Sequence, residues 1–171
     1  MPTAKTKQRA RRDKGQGKAP TTQAGEFVRE EMDQVRQGKH GARSTKQAIA
    51  IGLSKARRTG VDLPPPKRGT TSATTRRSAE RAYARGQEAP SRQTPSRRRS
   101  RATTAALQRE GHGAASRGAL AKQARSAAKR RSPSDRSAAA RKAAQTKGPA
   151  GRSAAARKGA RTRAAHRARE S

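Results

Sequence analysis

The supply of large apolar side chains limits what this chain can fold into. Val, Ile, Leu, Met, Phe and Tyr number 13 among 171 residues, there is no Trp, and nine of the 13 fall between residues 21 and 63. Burial of apolar area is what offsets the chain entropy lost on folding, and 13 such residues fill only a small interior. Against this shortage stand 44 Lys and Arg and 11 Asp and Glu, a formal net charge of +33. Low hydrophobicity with high net charge characterises chains that stay disordered. The expected fold class is therefore mostly disordered with a small all-α element, and an ordinary enzyme domain is all but excluded.

The ordered element belongs in residues 21–63, as a helical hairpin over about 23–37 and 45–59. Phe27, Val28, Met32 and Val35 recur near helical spacing, and Gly38 supplies a stop. Glu26, Glu30 and Glu31 stand in the N-terminal half, where the helix dipole favours anions. Ser44 and Gln47 form a capping box at the second helix, which ends at Gly60 after Lys55, Arg57 and Arg58. Ile49, Leu53 and Ala56 make its apolar stripe. Ala48, Gly52 and Ala56 make a second stripe of small residues, open to two readings. Either another backbone approaches closely there, or Gly52 only weakens the helix, by about 1 kcal/mol. Burial of so few side chains leaves such a hairpin marginal without a partner or a third helix.

The flanks divide by composition. Residues 1–20 form a basic, disordered arm of net charge +6, and 64–72 a Pro-rich spacer opened by Pro64, Pro65 and Pro66. A third helix fits 73–85, closed by Gly86. Its Tyr83 would dock on the hairpin in preference to stacking on a base, since a lone aromatic is a poor stacking platform. Residues 87–171 are an Arg-, Ala- and Ser-rich tail of net charge +19, expected to be disordered when free and partly helical when bound. One heptad recurs unchanged at Arg136–Lys142 and Arg152–Lys158, with a looser relative at Arg125–Arg131. Compositional drift would also produce such a tail. Thr94-Pro95 and Ser132-Pro133 beside basic clusters have a phosphorylation format, though turn chemistry in a linker accounts for them as well.

Catalytic and metal chemistry find no support. There is no cysteine, and His40, His112 and His166 are far apart with no ligand at i+3 or i+4. Gly111-His-Gly113 opens like a dinucleotide fingerprint, but Ser116 stands where the third glycine belongs. No cofactor is expected. The longest apolar stretch, Ala48 to Leu53, is far short of a membrane span, and no secretory signal is visible, so a cytoplasmic, soluble protein is the default.

Residues 23–31, Gln-Ala-Gly-Glu-Phe-Val-Arg-Glu-Glu, and 44–58, Ser-Thr-Lys-Gln-Ala-Ile-Ala-Ile-Gly-Leu-Ser-Lys-Ala-Arg-Arg, with Gly60 beyond, resemble an uncharacterised family of small basic bacterial proteins. The likeness runs into the proline spacer and supplies no catalytic residue; it implies a bacterial cytoplasmic protein. The second half is similar in composition to the tails of histone-like proteins, although those favour Lys and this chain has 31 Arg to 13 Lys.

The functional expectation is a non-catalytic, nucleoid-associated, histone-like protein that binds DNA without sequence preference. The candidate phosphate contacts are Arg57, Arg58, Arg97, Arg98, Arg99, Arg101, Lys129, Arg130, Arg131, Arg141, Lys142, Arg157 and Lys158. DNA is favoured over RNA, no membrane partner is expected, and residues 21–63 are open to self-association or a protein partner. The alternatives are an RNA-binding or ribosome-associated protein, and a protein-interaction module with an incidental basic tail.

Overall fold

A computed structural model describes residues 1–88 and 96–168. These hold seven α-helices: α1 (Ala4–Gly15), α2 (Pro20–Arg36), α3 (Thr45–Arg58), α4 (Ala73–Gln87), α5 (Arg97–Gln108), α6 (Arg117–Lys129) and α7 (Pro133–Arg167), with a 3-10 turn at Gly113–Ala115. No strand occurs among the described residues. The expectation of a mostly disordered chain is overturned. The chain divides into two compact units, Met1–Gln123 and Ala124–Ser171.

In the first unit α2 packs against α1 on one side and α3 on the other, and α4 packs on α3. Phe27, Ala10, Ala24, Ala56, Val61 and Leu63 form one apolar cluster, with Leu53 against it. Met32, Val35, Ala42, Ala48 and Ala115 form the other. Alanines make up much of both, which is how a chain poor in large apolar residues still closes an interior. Small side chains bring backbones together, and dispersion contacts accumulate where the helices touch.

At the stripe of small residues on α3 another backbone does approach closely. Ala48 and Ala56 are fully buried, and a Cβ at Gly52 would stand 2.7 Å from Val28 Cα and 3.1 Å from the Phe27 carbonyl oxygen. The α2 and α3 backbones cross there. Gly52→Ala gains about 1 kcal/mol of helix propensity but forces two backbones apart. The expected result is a net loss of about 1–3 kcal/mol in a urea melt; a gain would contradict this packing.

Two segments outside the hairpin join this unit. Thr3 caps α1 by accepting from the Thr6 amide, and its own amide donates to Glu30 Oε1 at 2.9 Å. Arg9 pairs with Glu26, so the region read as an arm is a helix tied to α2, while Lys18 pairs with Asp13 across the turn that follows α1. The stretch after α5 docks on the α2–α3 turn. The Gly41 amide donates to the Leu107 carbonyl (2.8 Å), and Ala42 to Gly111 (3.0 Å). Thr45 Oγ1 donates to the Ala114 carbonyl (2.6 Å), and Arg36 Nε to that of Ala115 (2.9 Å). Gly41 permits this approach, since a Cβ there would lie 1.7 Å from the Glu110 carbonyl oxygen.

Between α2 and α3 sits a buried ionic contact. Glu31 is fully buried, with Lys55 Nζ 2.5 Å from one oxygen and His40 Nε2 3.4 Å from the other. Gln34 Oε1 accepts a second bond from Lys55.

In the second unit α7 is interrupted at Gly148 (φ 65°, ψ 172°), followed by Pro149. Ser132 caps its start by accepting from the Asp135 amide, with Pro133 in the first turn. Arg152 spans the break by donating to the Ala144 carbonyl at 2.8 Å. Alanine is the best helix former, and the Ser and Thr between the cations cap helices or bond back to the preceding turn instead of opposing them. Of the two Ser/Thr-Pro signals, Ser132-Pro133 opens this helix, and Thr94-Pro95 lies outside the described residues.

Candidate nucleic-acid interface

The described carboxylates are largely committed within the first unit. Asp13, Glu26, Glu31, Asp33 and Glu80 pair with Lys18, Arg9, Lys55, Arg36 and Arg76. Beyond residue 96 Asp135 is held by Ser132 at the cap of α7. Arg97, Arg98, Arg99, Arg101, Lys129, Arg130, Arg131, Arg141, Lys142, Arg157 and Lys158 are all exposed, and none makes an ion pair with a carboxylate among the described residues.

The helices give these cations defined positions. Arg97, Arg98, Arg99 and Arg101 fill the first turns of α5, where positive charge opposes the helix dipole and an anion would be favoured. Lys129 ends α6, with Arg130 and Arg131 just beyond. Arg141 and Lys142 lie on α7 before Gly148, and Arg157 and Lys158 after it, one copy of the repeated heptad on each side. Their neighbours in sequence are mainly Ala and Ser, small side chains that leave the exposed cations open to a phosphate backbone.

The two cations from α3 behave differently. Arg57 does not belong with the surface contacts. It is 7% exposed, its Nε donates to the Leu63 carbonyl (3.0 Å) and its other nitrogen to that of Pro64 (3.2 Å). Burial pushes its pKa below the usual guanidinium value. Arg57 therefore clamps the extended segment after α3 and satisfies the carbonyl of the buried Leu63. Arg58 is exposed and bonds back to Ser54. Desolvation lowers its pKa, and the charge of Arg85 on α4 adds to the effect. Two neighbouring cations of this kind favour a bound anion.

Tyr83 is docked through its hydroxyl, which donates to Asp62 Oδ1 at 2.6 Å. That hydrogen bond, then desolvation and the carboxylate charge, raise the phenol above its ordinary pKa. The fold prefers the protonated phenol, so its contribution is present below about pH 10 and is lost as pH rises through the raised value. With one Tyr and no Trp, tyrosinate absorbance reports this residue alone. Asp62→Asn is expected to move the titration to lower pH, and an unmoved curve would contradict the contact.

A second group of cations is gathered by the fold alone. Lys7, Arg11 and Lys14 of α1 line a cleft of about 170 Å³ whose other walls come from α2 and the segment just after α3. Their i, i+4, i+7 spacing was legible in the sequence, but with no helix assigned to residues 1–20 it carried no meaning.

Among the described residues no three His, Cys, Asp or Glu side chains cluster to hold a metal ion, and no helix is long and apolar enough to cross a membrane. No curated protein and no solved structure matches the chain. Residues 11–68, from the last turn of α1 through α2 and α3 into the proline spacer, match a family of unknown function (DUF6496).

Proposed function

We propose that this protein is a non-catalytic, nucleoid-associated DNA-binding protein that engages duplexes without sequence preference by neutralising phosphates. The observation that supports it most is the set of exposed cations at Arg97–Arg99, Arg101, Lys129–Arg131, Arg141, Lys142, Arg157 and Lys158, which pair with no carboxylate among the described residues, on a chain of net charge +33. Cations fixed on helices displace condensed counterions from a duplex and need no base contact to do so. Arg, the majority cation here, also grips phosphate bidentately. The histone-like character and the bacterial origin suggested by composition and resemblance agree with this reading.

The experiment is a fluorescence titration of labelled duplexes of unrelated sequence, in competition with structured RNA at equal salt. Equal affinity across duplexes, and above that for RNA, is the expected outcome. Stronger retention of RNA would make the chain an RNA-binding protein, and no binding of either in dilute buffer would overturn the proposal.

A further inference from the structure

We infer that the cleft beside α1 is a separate binding site for a small phosphorylated ligand, a sugar phosphate in size and chemistry. Its volume, about 170 Å³, falls below the range of pockets for drug-sized molecules. The occupant is therefore small. Its charge is set by the rim: Lys7, Arg11 and Lys14 are exposed, share one face of α1, and have no ion-pair partner among the described residues. The other charged residues of that helix near α2 are spoken for, with Arg9 on Glu26 and Asp13 on Lys18. No carboxylate lines the cleft.

Like charges three and four apart on a helix repel, and an anion seated between them removes the penalty. Beneath the rim, apolar side chains close part of the floor. Ala10, Phe27 and Val61 are buried and line the cleft. A floor of this kind excludes water on one side and strengthens each cation–phosphate contact. Gln23 and Thr59 also line the cleft and offer a sugar's hydroxyls polar contacts, which inorganic phosphate alone would not use. The site draws its cations from α1 and its floor from α1, α2 and the segment after α3. It is thus distinct from the cations of α5, α6 and α7 and does not depend on the nucleic-acid reading.

The test uses the full-length chain, labelled with ¹⁵N, titrated with ribose 5-phosphate at physiological salt. Saturable shifts of the Gly60 and Val61 amides, which border the cleft, are expected, with inorganic phosphate binding more weakly. The variant Lys7→Gln/Arg11→Gln/Lys14→Gln changes only exposed positions to a good helix former. It is expected to lose at least about tenfold in affinity. Arg141→Ser/Lys142→Ser/Arg157→Ser/Lys158→Ser is expected to leave these shifts unchanged while weakening duplex binding, so the two proposals fail separately. A dinucleotide with an internal phosphodiester distinguishes the sources. Binding equal to that of ribose 5-phosphate assigns the site to a nucleic-acid strand, and weaker binding to a free ligand. Shifts that never saturate, or equal affinity in the triple variant, would overturn the inference.

Discussion

Between 50 and 200 mM salt the affinity for duplex DNA is expected to fall by about 10³–10⁵, the loss for a protein that neutralises about 6–10 phosphates. The eleven exposed candidate cations beyond residue 96 supply that number with few carboxylates nearby to compete for them. Counterion release makes the dependence linear on logarithmic axes, and a fluorescence titration at four or five salt concentrations measures it. A flat response would mean that affinity comes from base contacts or apolar burial, for which these helices offer little.

The largest loss of stability from one substitution is expected at Glu31. Glu31→Ala would leave Lys55 facing the interior between α2 and α3 without its carboxylate, at a cost of about 3–5 kcal/mol in a denaturant melt. Replacing both partners by apolar residues of similar volume, Glu31→Leu with Lys55→Met, is expected to restore most of that loss. Desolvating the ion pair offsets much of its attraction, so removing the pair together costs far less than orphaning one member. If the double variant is as unstable as the single one, the contact matters for its shape and not for its charge.

The hairpin was legible because its signals are local. Ser44 caps α3 through the Gln47 amide while Gln47 Oε1 accepts from the Arg43 amide, and Gly60 follows with positive φ. A third helix was placed at 73–85, and α4 runs Ala73–Gln87. What was missed depends on small residues and distant partners. Counting only large apolar side chains hid the core made by Ala10, Ala24, Ala42, Ala48, Ala56 and Ala115. Ala115 is buried because Gly41 lets the backbone near Glu110 pass close by, a contact across some 70 residues that no local pattern announces. Glu31 read as a dipole partner in the N-terminal half of its helix, yet it is buried against Lys55 from the next helix. Arg57 read as one of several surface cations, and only the course of the chain through Leu63 and Pro64 turns it inward.

This docking also changes how the basic half should be tested. Deleting residues 87–171 would strip Ala114, Ala115 and Leu120 from the first unit, confounding lost charge with lost packing. Charge substitutions on α7 avoid that, since none of its residues is buried. The most direct measurement is the salt slope of duplex affinity for the intact chain against Arg141→Ser/Lys142→Ser/Arg157→Ser/Lys158→Ser. Four lost phosphate contacts should lower the slope by about 3–4. An unchanged slope would show that the repeated heptads never meet the phosphates.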